Sequence, residues 1–154
     1  MEDIFFSGTF GGEAVSLAAA SATIEKLQSQ NVPVRLERLG RTLSRRANIV
    51  FEQNGLHEVL EFSGNPWLPR LKVLNSPVDS GILKSLVRQE LVANGLLLGT
   101  SLGLCLAHDD DAIMEEILLL LGQAAATIRE ALNSRDPAKA LMSEQIQSVF
   151  EIRP

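Results

Sequence analysis

Glu58-Val59-Leu60-Glu61-Phe62-Ser63-Gly64-Asn65-Pro66-Trp67-Leu68-Pro69-Arg70-Leu71-Lys72-Val73-Leu74 is the stretch on which the fold turns. Over 58–63, Leu60 and Phe62 alternate with Val59, Glu61 and Ser63, the period of a half-buried strand. Gly64-Asn65-Pro66 turns the chain. Residues 68–74 predict a second strand, with Pro69 near its start, where a missing N–H is tolerated. Two strands joined by so short a turn pair antiparallel.

On either side the period changes from two to 3.6. Upstream, residues 13–29 read as a helix on Ala14, Leu17, Ala18, Ser21, Ile24 and Leu27. Asn31-Val32-Pro33 interrupts it, and a second helix over 34–46 uses Val34, Leu36, Leu39 and Leu43. Its basic residues, Arg35, Arg38, Arg41 and Arg45, read as a solvated face. Residues 48–52 read as that helix's frayed end or a short strand, and Asn54-Gly55 as a turn. Downstream, Asn75–Ser80 is a loop ending in helix-cap chemistry, and 82–93 is a helix built on Leu83, Leu86, Val87 and Leu91. Asn94-Gly95 stops it. Residues 96–98 and 102–107 read as two short strands. Asp109-Asp110-Asp111 caps a long helix to about residue 132, with Ile113, Ile117, Leu120, Leu121, Ala124, Ile128 and Leu132 on one stripe. A short last helix is expected over 143–150. Paired strands between helices predict an α+β fold: a small, mainly antiparallel sheet with helices packed on one face, preceded by a long helix.

Composition narrows the function classes. The 154 residues are 45% hydrophobic and 21% charged, enough for a core. A net charge of −5 gives no basic footprint for nucleic acid or an anionic membrane surface. No stretch approaches a membrane span, and residues 1–6 lack a basic n-region, so a cytoplasmic protein is the default. The single cysteine, Cys105, excludes an intrachain disulfide and a cysteine-based zinc cluster. Within an apolar, strand-like stretch it reads as a small buried hydrophobe.

The chemistry-bearing segment is Phe5-Phe6-Ser7-Gly8-Thr9-Phe10-Gly11-Gly12-Glu13-Ala14, which runs into the alanine-rich first helix. Glycines, hydroxyls and a helix start together make an anion cradle, or a plain helix N-terminus whose hydroxyls satisfy orphan N–H groups. A free-standing phosphate or nucleotide-binding module would want a preceding strand and a lysine close by, and neither is convincing here. A noncatalytic interaction domain is the other class.

The same string resembles the segment after the Schiff-base lysine in class III, fold-type I pyridoxal-phosphate aminotransferases and aminomutases. Val87-Arg88-Gln89-Glu90-Leu91-Val92-Ala93-Asn94-Gly95-Leu96-Leu97-Leu98 is similar to that family's helix–Gly–strand entry. Leu104-Cys105-Leu106-Ala107-His108-Asp109-Asp110-Asp111-Ala112-Ile113 is similar to its strand–His–acidic-cap–helix exit. The three occur in the family's order, and the flavour is that of the glutamate-1-semialdehyde aminomutase-like branch. Glu13-Ala14, where many relatives have Asn-Pro, leaves the substrate class open.

The resemblance implies that residues 1–32 end the large cofactor domain and 33–154 form the C-terminal small domain. It implies pyridoxal 5'-phosphate as cofactor, with Thr9 reaching the phosphate of the neighbouring subunit and Gly8 giving backbone approach. A homodimeric parent acting on a small-molecule amino donor and a carbonyl substrate follows. Of the four lysines, Lys26, Lys72, Lys84 and Lys139, none sits in surroundings like the family's lysine segment. That lysine and its aspartate partner are expected upstream of Met1, and the 154 residues alone are expected to be inactive. No catalytic or metal-ligating residue is assigned within them. His108 reads as a histidine packed at a strand end near carboxylates, His57 as exposed, and Arg70 as a solvated strand-edge arginine. Trp67 reads as core packing or an inter-subunit contact.

Overall fold

The computed structural model describes residues 8, 11–97 and 101–146. Among these, four helices and one antiparallel pair of strands form an α+β arrangement. Helix α1 spans Ala14–Ser29 and α2 spans Val32–Gln53. Strands β1 (Leu60–Asn65) and β2 (Leu68–Val73) form a hairpin in the register Leu60↔Val73 to Asn65↔Leu68. Helices α3 (Ser80–Ala93) and α4 (Asp111–Asn133) follow.

Helix α2 is longer than its periodicity predicts at both ends. It starts at Val32, because Pro33 falls in the first turn, where a missing N–H has no partner to lose. The left-handed Asn31 (φ 49°) makes the corner from α1. Residues 48–52 are helical rather than frayed or extended. The helix ends at Asn54-Gly55, with Gly55 at φ 66° and Leu56 N–H closing onto Phe51 C=O at 2.7 Å. Helix α3 ends the same way: Gly95 has φ 83° and Leu96 N–H bonds Leu91 C=O at 2.8 Å.

The core lies between the hairpin and α2, α3 and α4. Phe51 of α2 stacks on Phe62 of β1, with centroids 5.8 Å apart and planes 4° from parallel. The α3 residues Leu83, Leu86, Val87 and Leu91 are all buried, as their spacing predicts. On α4 the buried stripe is rotated from the expected one. Met114, Leu118 and Ala125 are buried with Leu121, Ala124 and Ile128, whereas Ile113 lies at the surface. Two contacts fix the hairpin on α2. Asn48 donates its Nδ2 to Phe62 C=O (3.0 Å) and accepts Phe62 N–H on Oδ1 (2.7 Å). Gly40 lies against the turn, where a Cβ would overlap the Pro66 carbonyl.

The further strands expected over 96–98 and 102–107 are not formed. Leu96 and Leu97 are irregular, and Leu98 lies outside the described residues. Ser101 makes one isolated bridge to Arg70. Leu102 N–H reaches Pro69 C=O at 2.9 Å and Leu104 N–H reaches Trp67 C=O at 3.3 Å. Pro69 has no N–H to return the bond to Leu102, so the ladder is one-sided and does not propagate. The chain then tightens into a 3-10 turn at Leu106–His108. The helix expected over 143–150 is also absent from its described part. A 3-10 turn at Pro137–Ala140 leads into a non-helical segment through residue 146, and 147–150 lie outside the described residues.

Candidate functional site

The glycine turn before α1 is the site that the sequence singles out. Gly8 is exposed, and its C=O accepts Gly11 N–H at 3.2 Å. Side chains added at Gly8 or Gly12 would meet nothing within 4 Å, so the described part of the turn is open. Thr9, expected to carry the phosphate contact, lies outside the described residues.

The helix start behind the turn is not an open anion site. Glu13 is the N-cap, and its carboxylate accepts Val15 N–H at 3.1 Å and Ser16 N–H at 2.7 Å. Hydrogen bonds from Ser16, side chain and backbone, and then from Val15 hold this carboxyl below its usual range. The negative charge that a helix N-terminus favours is thus supplied from within the chain. An external phosphate keeps only the turn's own backbone and hydroxyls.

Helix α1 itself has no buried residue. Val15, Leu17, Ile24 and Leu27 are 74, 57, 53 and 40% exposed. The apolar surface continues past the corner into a groove lined by Leu27, Val32, Leu36, Trp67 and Leu104. Trp67 is 50% exposed at the tip of the hairpin, so it is not a core residue.

Polar groups gather in a separate cleft, where α2 meets the start of α4. Asp109 accepts Arg35 Nε at 2.7 Å and Arg38 at 3.1 Å. The Arg35 hydrogen bond, helped by charge attraction from Arg35 and Arg38, keeps the Asp109 carboxyl below the ordinary range. Arg46 holds Glu115 through two bonds, of 2.6 and 2.8 Å. The arginine face is therefore partly an inter-helix seam and not simply solvated. Periodicity could not show this, because its partners lie some 70 residues on: separations of 74 and 71 for Arg35 and Arg38.

Cys105 is exposed, contrary to the buried reading, because the expected strand gives way to the 3-10 turn. Its N–H donates to His108 Nδ1 at 3.1 Å, and its Sγ lies 3.3 Å from the same nitrogen. An Nδ1 that accepts an amide N–H leaves the thiol as the second donor, so the pair closes a turn. His108 bonds Cys105, Asp109 bonds the arginines and Asp110 caps α4. Among the described residues no group of three or more His, Cys, Asp and Glu side chains is placed to hold a metal ion. His57 and Arg70 are exposed, as are all four lysines. Among the described residues no helix is long and apolar enough to cross a membrane.

No protein-family model, curated protein or solved structure matches this chain.

Proposed function

We propose that this chain is the C-terminal part of a class III, fold-type I pyridoxal-phosphate aminotransferase or aminomutase of the glutamate-1-semialdehyde aminomutase-like branch. In this reading residues 1–32 close the large cofactor domain, and 33–154 are the small domain of a cytoplasmic homodimer. The parent moves an amino group between a small-molecule donor and a carbonyl substrate. The observation that carries the reading is α1: a 16-residue helix with Val15, Leu17, Ile24 and Leu27 exposed and no residue buried. A helix of this length gains most of its stability from packing. A large domain laid along it would supply that packing.

The residues fit the cofactor in part. The turn, open at Gly8 and Gly12, can admit a phosphate, with Thr9 as hydroxyl donor in this reading. The Val15 and Ser16 N–H groups of α1 cannot join in, since the Glu13 carboxylate holds them. Pyridoxal phosphate, when bound, supplies the electron sink for amino-group chemistry. All four lysines lie exposed, and in this reading the aldimine lysine belongs to the preceding domain.

The test pairs this chain with the polypeptide encoded in frame upstream of Met1. The joined protein should bind pyridoxal phosphate with a visible Schiff-base band. Thr9→Ala should weaken cofactor affinity by roughly ten- to a hundredfold, the worth of a charge-assisted hydrogen bond. An upstream frame without a lysine segment, or an affinity unchanged by Thr9→Ala, would overturn the assignment.

A further inference from the structure

The last described residues run back along the outer face of α3, held by side chains one helical turn apart. Gln89 receives Met142 N–H on Oε1 at 2.8 Å and gives Nε2 to Ala140 C=O at 3.0 Å. One turn earlier, Ser85 Oγ accepts Ile146 N–H at 2.8 Å while donating to Gly81 C=O at 2.7 Å. At the helix start, Asp79 Oδ1 caps α3 through Gly81 N–H and also accepts Gln145 Nε2 at 2.7 Å. Positions 81, 85 and 89 share one face of the helix. Gly81 leaves the room that Gln145 fills, since a Cβ there would run into its amide.

This attachment differs in kind from the rest of the fold. Gln89 and Ser85 address the main chain of the segment, as a neighbouring strand would. Its apolar side chains stay largely out of the core: Met142 is 85% exposed and Ile146 42%. An open cleft lined by Arg88, Val92 and Met142 lies beside the helix. On its opposite face α3 buries Leu83, Leu86, Val87 and Leu91. Releasing the segment therefore exchanges hydrogen bonds with water and gives up only the partial burial of Leu141 and Ile146, while α3 keeps its packing.

We propose that residues 140–146 form a strap that opens from α3 as one unit while the domain stays folded, with Ser85 and Gln89 as its clasp. The proposal is independent of the cofactor reading. Opening uncovers Ser85, which is 6% exposed when the strap is on, and frees Gln89 Oε1, while Gln89 Nε2 keeps its bond to Glu90.

Amide hydrogen exchange on the full chain, read residue by residue by NMR, tests it. Met142 and Ile146 should exchange at one common rate, slower than a free chain and faster than the Leu86 and Leu91 amides. Of the strap's bonds, Ser85→Ala removes only that to Ile146, and Gln89→Ala only those to Ala140 and Met142; each also removes one bond within α3, Ser85 to Gly81 C=O and Gln89 to Glu90. Each should nonetheless speed both amides together by about two- to tenfold, the effect of one lost hydrogen bond. Gly81→Ala should do the same with no fall in melting temperature, because it displaces Gln145 while adding a better helix former. Exchange of the two amides at the core rate, at the free-chain rate, or responding separately to the two substitutions would overturn the strap.

Discussion

Helices α1 and α2 meet at a two-residue corner, yet one carries six buried residues and the other none. Apolar content does not explain the difference. Helix α1 is the more apolar, but its apolar residues are mostly alanine and spread around the helix. Helix α2 is rich in arginine, yet Leu39, Leu43, Ala47 and Phe51 fall on one stripe and Gly40 beside them lets the hairpin approach. Segregation of side chains, not their average, commits a helix to this core. Helix α1 leaves its apolar residues at the surface.

The contrast can be broken most forcefully by truncation. Phe51→Ala removes a ring stacked on Phe62 and should cost about 3–5 kcal/mol in urea unfolding. Leu17→Ala on α1 should stay within about 0.5 kcal/mol. A cost above about 1 kcal/mol for Leu17→Ala would mean that α1 is packed in solution. Glycine substitution gives the next largest difference. Gly40→Ala forces the turn off α2 and should cost about 3 kcal/mol, while Gly12→Ala, with nothing within 4 Å, should leave the melting temperature unchanged. Equal effects would show that the hairpin does not seat on Gly40.

Hydrogen bonds should divide in the same way. Asn48→Ala strands both polar groups of Phe62 and should cost about 1–2 kcal/mol. Thr23→Ala loses only a bond to its own helix, at Ala19 C=O, and should be close to neutral. A neutral Asn48→Ala would remove the amide from any role in holding β1.

Acid gives the smallest difference. Asp109 has a folded pKa below its unfolded one, owing first to the Arg35 hydrogen bond. Its contribution is therefore present above the ordinary carboxylate range and is lost as pH falls through the folded value. Asp109→Asn should lower the melting temperature at pH 7, and the gap from the wild type should narrow as the pH falls below the ordinary carboxylate range. Glu13 is also shifted down, by Ser16 first, but it caps a helix outside the core. Glu13→Gln should reduce helicity by circular dichroism and leave the main melting transition in place. A gap for Asp109→Asn that stays constant as the pH falls through and below the carboxylate range would exclude the ion pairs as its source.

The sequence was legible where the governing contacts are local. Asp79 and Asp110 as caps, the Asn-Gly stops and the α3 stripe all depend on residues within one turn. It was illegible where one residue answers another far away. Nothing near Asn48 marks it as the partner of Phe62, and nothing near Gly40 announces Pro66. The proline misled by half: its place near a strand start was read correctly, but its missing N–H also stops the next strand from pairing. That loss turned Cys105 from a buried strand residue into an exposed turn residue. Of the two site residues, Gly8 is in an open turn as its neighbours imply, and Thr9 lies outside the described residues. The unexpected part of the site is Glu13, whose carboxylate takes the role that a glycine turn before a helix would reserve for an anion.

A lone hairpin ordinarily offers two raw edges to any passing chain. Here Phe62 is closed by the Asn48 amide and Leu60 N–H by Leu56 C=O. The far edge is shielded by residues 101–104 and interrupted at Pro69. The sheet is thereby protected from growing by strand addition, the common route to aggregation. Among the described residues, the apolar surface left open to other chains is then largely on helices, and α1, with no residue buried, has the most to spare.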